Sequence, residues 1–338
     1  MNDVLSELKK IYDSHTLPEH DDLLEQVDGG VSVLEHEDGS YRPKAKTSDA
    51  GGLLDFTAAQ GLPLVVVPDL HARCDFFLHL MEFPLACAQT LTVLDALEKG
   101  LVRVVCVGDL FHSEGRGRER WLSAWENYEA GDYESSEMTA EMLENLTLFQ
   151  MVLLVKKRFP AHFHFLKGNH ENMLNEWGRG NYPFRKFADE GGMVYDFMAS
   201  HYGDAVLHLM GLWEHLLPVC AAFPQCVVTH AEPQSVYTRA QFVDYQKHPD
   251  VVLGLTWTAN GEAEDGSVEK NLRTLLGKER AETAVWLSGH RPVHGSYALR
   301  QNGKLIQIHN PEREQVAIAL PEKQFSPATD VVIVSASE

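Results

Sequence analysis

The strongest constraint on the fold is a recurring pattern of short apolar runs that stop abruptly at polar residues. The runs are LVVV at 64–67, VRVVCV at 102–107, HFHFL at 162–166, CVVT at 226–229 and VWLS at 285–288. They are followed in turn by PDLHA, GDLFHSEG, KGNHEN, HAEPQ and GHRPVHG. Their length predicts buried strands, and the helix-length segments between them predict an α/β chain. Open α/β sheets place ligand sites at strand ends, so these five polar clusters are expected to converge on one site.

Composition narrows the function. With 338 residues, 44% hydrophobic and 23% charged, the chain is expected to bury a large core rather than stay disordered. The net charge of −20 repels nucleic-acid phosphates and anionic lipid, so neither nucleic acid nor membrane is an expected partner. The opening MNDVLSELKKIYDSH mixes acids and lysines with apolar residues, unlike a signal peptide. No apolar stretch approaches the ~18 residues of a membrane span. Cys74, Cys87, Cys106, Cys220 and Cys226 form no C-x-x-C pair, which fits a reducing cytoplasm better than a disulfide framework.

Residues 1–13 carry Val4, Leu5, Leu8, Ile11 and Tyr12 at helical spacing, and residues 31–48 read as a hairpin turning at Asp38-Gly39. Together they predict an N-terminal extension over 1–50, ahead of one domain over 51–338 with no internal linker. An insertion at about 113–147 holds nine acidic residues, three arginines and the aromatics Trp121, Trp125, Tyr128 and Tyr133. It reads as a helical excursion packed through its aromatics or, alternatively, as a lid that favours small or nucleotide-like substrates.

The strand-end clusters offer Asp69 and His71, Asp109, Asn169, His230 and His290. Carboxylate, amide and imidazole donors suit manganese, iron or zinc. Each residue alone has an ordinary structural role, such as a helix cap or a buried histidine. Gathered at neighbouring strand ends, they would be costly to bury without a cation. One carboxylate shared between two divalent ions ~3.5 to 4 Å apart suits a bridging hydroxide. His79, His208, His215 and His309 match no motif and are expected to be structural or surface residues.

Asp69-x-His71, Gly108-Asp109, Gly168-Asn169-His170-Glu171, His230 and Gly289-His290, in that order, resemble the calcineurin-like metallophosphoesterase superfamily. Within it the chain is most similar to the phosphoprotein phosphatase branch and its bacterial relatives, with Trp257-Thr258 similar to that branch's Trp-Ser-Asp-Pro segment. The resemblance spans roughly residues 64–310. It implies a four-layer α-β-β-α sandwich and two divalent ions, manganese first, with iron or zinc as alternatives. Asp69, His71 and Asp109 would hold the first ion. Asp109, Asn169, His230 and His290 would hold the second. His170 would be the general acid and the bridging hydroxide the nucleophile. His294 stands four residues after His290, where the superfamily's further ligand stands two after, and is left out.

Two departures separate the chain from the branch. Where the branch has G-D-x-V-D-R-G, this chain has His112 in place of the Asp that supports the general acid and Ser113 in place of the phosphate-clamping Arg. Arg73, Arg116, Arg118 and Arg291, with His112, are the candidates to replace the clamp. Glu114, Glu171 and Glu232 are candidates to supply the missing charge. After His230 stands Ala231-Glu232-Pro233, where the branch has Gly-Gly.

The function expected is hydrolysis of phosphate monoesters on a small molecule, nucleotide or phosphopeptide. The alternatives are hydrolysis of a dinucleoside polyphosphate or phosphodiester, and a non-catalytic scaffold.

Overall fold

In the computed structural model, residues 3–46, 50–59, 61–321 and 323–335 are described. Strands are numbered in chain order. One sheet has the order β11-β10-β2-β3-β4, built from β2 (Leu64–Val67), β3 (Arg103–Cys106), β4 (Phe163–Phe165), β10 (Gln315–Ala319) and β11 (Val331–Ile333). The other has the order β1-β5-β6-β7-β9-β8. It contains β1 (Leu53–Asp55), β5 (Cys220–Ala222), β6 (Cys226–Thr229), β7 (Val285–Ser288), β8 (Ala298–Arg300) and β9 (Leu305–Gln307). The pairs β2–β3, β3–β4, β6–β7 and β7–β9 are parallel, so their C-terminal ends lie on one edge of the sandwich.

The apolar runs are continuous because both faces of each strand are covered. Leu64 and Val66 of β2 point to the core between the sheets with Val105, Val228, Leu287 and Ile306. Val65 and Val67 alternate to the opposite face, among helices. On the far side, Leu53, Val227, Trp286 and Leu305 pack under the helices Arg239–Val243, Pro249–Thr256 and Ser267–Leu276. Three apolar layers between helix, sheet, sheet and helix make the four-layer sandwich.

The helices covering β2–β4 include α1 (Asp3–Tyr12), α2 (His20–Glu35), α3 (Cys74–Glu82), α4 (Arg118–Glu129), α5 (Ser136–Arg158), α6 (Glu190–His201) and α7 (Gly203–Leu216), with the short helix Val93–Glu98 beside α3. The expected hairpin over 31–48 is absent: residues 20–35 form α2, and Thr47 and Ser48 lie outside the described residues. Leu23, Val27, Val31 and Leu34 make a helical stripe that carries residues 31–35 into the helix instead of a strand. Gly30 is what permits the packing, since a Cβ there would lie 2.6 Å from Leu153 Cδ2. Asp38 still starts a turn, accepting from the Tyr41 amide at 3.1 Å.

The expectation of no membrane-length apolar segment also needs correction. The 23-residue α5 is long and apolar enough to cross a bilayer, but 67% of its most apolar window is buried inside the protein. Its lipid-like character is that of a core helix contacted by α1, α2 and α4. The insertion thus supplies core as well as surface. Trp121 of α4 is fully buried, while Trp125 stacks on Tyr128, whose ring meets Tyr133 at a tilt. Arg116 and Arg120 are taken up by Glu144, and Arg120 also by Glu141.

Candidate metal centre

Six strand ends converge, one more than the sequence pattern indicates. Asp69 and His71 follow β2, Asp109 follows β3, Asn169 and His170 follow β4, His230 follows β6 and His290 follows β7. The sixth is β9, which pairs with β7 through Gln307 and Ser288 and so carries His309 up beside His290.

One group of donors is tight. His230 Nε2 lies 3.0 Å from Asn169 Oδ1, 3.2 Å from His290 Nδ1 and 3.4 Å from Asp109 Oδ2, and His290 Nδ1 lies 2.9 Å from Asn169 Oδ1. Two ring nitrogens facing each other across acceptor oxygens is the arrangement a cation satisfies and a hydrogen-bond network does not. The second group surrounds His71. Its Nδ1–H donates to the carbonyls of His112 at 2.9 Å and Phe111 at 3.2 Å, which fixes the tautomer and leaves the Nε2 lone pair free. That nitrogen faces Glu114 Oε1 at 3.4 Å, Asp109 Oδ2 at 3.6 Å and Asp69 Oδ2 at 3.8 Å. Asp109 Oδ2 is therefore common to both groups, and the donor set fits two cations.

The loops are held by the residues between the ligands. Glu171 accepts from the amides of Gly168 at 2.6 Å, Leu110 at 2.8 Å and Asp109 at 2.9 Å, tying the β3 end to the β4 end. The His170 amide donates to Asp109 Oδ1 at 2.9 Å, and the His290 amide donates to both Asp69 oxygens at 3.0 Å. His71, Asp109, His112, Glu114 and His290 all have positive φ, between 44° and 76°. Such backbone costs of order 1–3 kcal/mol per residue and clusters where geometry serves a site. Gly289 is obligatory, because a Cβ there would lie 1.8 Å from Asp69 Oδ1. Gly289→Ala should therefore lower metal affinity by about 10-fold or more, the range for disturbing a ligand's supporting shell, as measured by manganese titration against a chelator.

Burial dominates the electrostatics. It pushes Asp69 up and Asp109 well up, with Asp69 and Glu171 raising Asp109 further. The same burial lowers His71 and His290 to about 3 and holds His230 well below its usual range. Neutral imidazoles beside carboxylates that resist ionisation are what a cation would stabilise.

His170 stands at the edge of both groups, its Nε2 3.9 Å from Asp109 Oδ2. Its Nδ1 is buried without a hydrogen-bond partner. His112 does not support it. The His112 Nδ1 accepts from the Glu114 amide at 3.0 Å, its Nε2 faces Glu190 Oε1 at 3.6 Å, and its ring stacks on Trp121. The two histidine rings touch at 5.0 Å between centroids without a hydrogen bond. His112 is buried behind the site and is withdrawn as a phosphate contact. Of the three glutamates considered for the missing charge, Glu171 is consumed by backbone amides and Glu232 faces Gln301 and Arg300. Glu114 is the one whose field reaches His170.

The arginines separate clearly. Arg73 is structural, donating to the carbonyls of Asp69, Leu70, Asn310 and Arg313. Arg116 is held by Glu144 and two carbonyls, and Arg118 lies over the Phe187 ring. Arg291, next to His290, has a buried Nε with no hydrogen-bond partner. Lys186 was not expected: its Nζ lies 3.1 Å from Glu114 Oε1 at the mouth of a 440 Å³ cavity bordered by His71, Arg116 and Pro292. His309, expected to be a structural or surface residue, is not on the surface: it is fully buried beside Asp69, His71 and Glu114.

No protein-family model and no curated protein matches the chain. Solved structures do. A protein serine/threonine phosphatase from Saccharomyces cerevisiae superposes with a TM-score of 0.55 at 13% identity, covering 94% of this chain and 89% of that one. Weaker matches are a cold-active protein tyrosine phosphatase (TM-score 0.43, 12% identity, 80% of this chain and 78% of that one) and a putative diadenosine tetraphosphatase (TM-score 0.39, 14% identity, 83% and 96%). Two sheets face to face with helices outside both make this a four-layer α-β-β-α sandwich, the fold it shares with the yeast serine/threonine phosphatase, and the cation-type donor cluster lies on the shared strand-end edge.

Proposed function

We propose that this protein is a dimetal-dependent phosphoesterase that hydrolyses phosphate monoesters of small molecules. The observation that carries the reading is Asp109 Oδ2, which faces His230 Nε2 at 3.4 Å and His71 Nε2 at 3.6 Å and so belongs to both donor groups. Asp69, His71 and Asp109 would hold one ion, and Asp109, Asn169, His230 and His290 the other. Mixed nitrogen and oxygen donors suit manganese, with iron or zinc compatible. When bound, two divalent ions supply a nucleophile deprotonated at neutral pH and positive charge against the phosphoryl oxygens.

The chain's own residues supply the rest. Arg291 brings a guanidinium with an unsatisfied donor to the His290 side, and Lys186 brings a second cation to the cavity mouth; together they take the place of the absent clamp. His170 Nε2 is the proton donor within reach of the shared carboxylate's edge of the site. The 440 Å³ cavity, with Glu114 and Glu312 in its wall, favours a small phosphate ester over an acidic phosphopeptide.

The test is a panel of p-nitrophenyl phosphate, its bis-ester, dinucleoside polyphosphates and phosphopeptides, on chelator-stripped protein with and without added manganese. Manganese should restore hydrolysis of the monoester most strongly. Preference for the bis-ester or the polyphosphate would overturn the monoester reading, and no hydrolysis of any substrate would make the protein a scaffold.

A further inference from the structure

We infer that Glu114 and His309 are direct ligands of the first cation, which is thereby held by five side chains rather than by Asp69, His71 and Asp109 alone. The inference rests on the dimetal reading above and extends it to Glu114, near the end of the GDLFHSEG stretch, and to His309, which lies outside every motif.

His309 is fully buried, and neither ring nitrogen has a hydrogen-bond partner. Burying an imidazole with both polar atoms unsatisfied costs about 1–3 kcal/mol per group, so a partner is required. What the nitrogens face is the metal cluster. Nε2 lies 3.3 Å from Glu114 Oε2, and Nδ1 lies 3.8 Å from Asp69 Oδ2. Glu114 in turn reaches His71 Nε2 at 3.4 Å with its other oxygen. One donor atom each from Asp69, His71 and His309 lie within 4.8 Å of one another, and Glu114 borders that group with one oxygen toward His309 and the other toward His71, close enough for a rotation of its carboxylate to complete the shell.

Backbone geometry supports the same assignment. Glu114 is held at φ 53°, a conformation that a non-glycine residue adopts at a cost, and its main-chain N–H is fixed by His112 Nδ1. The strain turns the carboxylate inward at a position facing two imidazoles. His309 is delivered by an independent element, the end of β9, one strand over from the end that carries His290. The two residues therefore converge from opposite sheets. Lys186 on the outer side of Glu114 balances part of the third carboxylate's charge without entering the cluster.

The set of three carboxylates and two imidazoles makes the first site more anionic than the second, which has one carboxylate, one amide and two imidazoles. The two sites should consequently differ in affinity, and removal of Glu114 or His309 should affect only one of them.

The experiment is equilibrium titration of chelator-stripped full-length protein with manganese against a chromophoric chelator, combined with bound-metal stoichiometry by elemental analysis. The variants are His309→Gln and Glu114→Gln, with the exposed His294→Ala as control. Wild type and His294→Ala should each bind two ions. Each of the other variants should keep one site at wild-type affinity and weaken the other by about 10-fold or more. Cobalt-loaded samples should show a matching change in visible absorption. Should His309→Gln fail to fold, Glu114→Gln decides by the same readout. Two ions bound with wild-type affinity in a folded variant would overturn the inference, leaving Glu114 and His309 as an ion pair whose loss lowers only thermal stability. Fewer than one ion in wild type would instead refute the dimetal reading itself.

Discussion

Asp109→Asn should reduce manganese-stimulated hydrolysis by on the order of 10³-fold or more, while the circular dichroism spectrum and the unfolding cooperativity stay close to wild type. The size follows from what one side chain does. Asp109 Oδ2 faces both His71 and His230, and Oδ1 accepts the His170 amide, so one substitution removes the shared negative charge from two donor groups and disturbs the proton donor as well. Loss of a single charge-stabilising group costs about 10² to 10³-fold in other hydrolases, and here two groups are affected at once. The fold should survive because the loop is anchored by Glu171 through the backbone amides of Asp109, Leu110 and Gly168, none of which the substitution touches. Elimination of a buried charge that burial already disfavours removes a cost rather than adding one. Retained activity in a folded Asp109→Asn protein would remove the shared carboxylate from the mechanism.

His170→Ala should separate substrates by leaving group. Burial, with His112 and His71 adding to it, holds His170 well below its usual pKa, and Nδ1 has no acceptor to stabilise an imidazolium. A proton on this ring is therefore readily given up and scarce as pH rises. Alkyl phosphates, whose alkoxide must be protonated, should lose about 10² to 10⁴-fold in the variant. The p-nitrophenolate group leaves without a proton, so p-nitrophenyl phosphate should lose less than about 10-fold. In wild type, alkyl phosphate hydrolysis should fall as pH rises, and p-nitrophenyl phosphate hydrolysis should not follow it. Equal losses on both substrates would show that His170 acts on the phosphoryl group or the cation ligands and is no general acid.

The parts of the molecule legible in the sequence were those where local pattern and global fold agree. Val65 and Val66 face different apolar layers, so an uninterrupted run predicts a strand covered on both sides. The glycines before Asp109 and His290 were visible as dipeptides, and their meaning becomes physical in three dimensions. Gly108 has φ +115 with Gly168 N 2.4 Å from its missing Cβ, and Gly289 clears Asp69. Asp69, His71, Asp109, Asn169, His230 and His290 come together as the motif order implies, because parallel strands bring their C-terminal ends to one edge.

What was not legible depended on contacts between distant segments. Residues 31–35, read locally as the start of a hairpin turning at Asp38-Gly39, are helical because α2 packs against Leu153 and Trp213. His309 ends a run whose Gln307 interrupts the apolar alternation, and its place beside His71 follows from sheet order alone. Lys186 and Glu190 lie in and after a loop that no motif marks, yet one reaches Glu114 and the other His112. Arg73 stands two residues from His71 but is spent on four carbonyls, which sequence proximity could not reveal.

The central claim, that these donor groups hold two cations around Asp109, is tested most directly by elemental analysis of the purified protein after equilibration with manganese and removal of free metal. The account predicts two bound transition-metal ions per chain. Fewer than one per chain would contradict it.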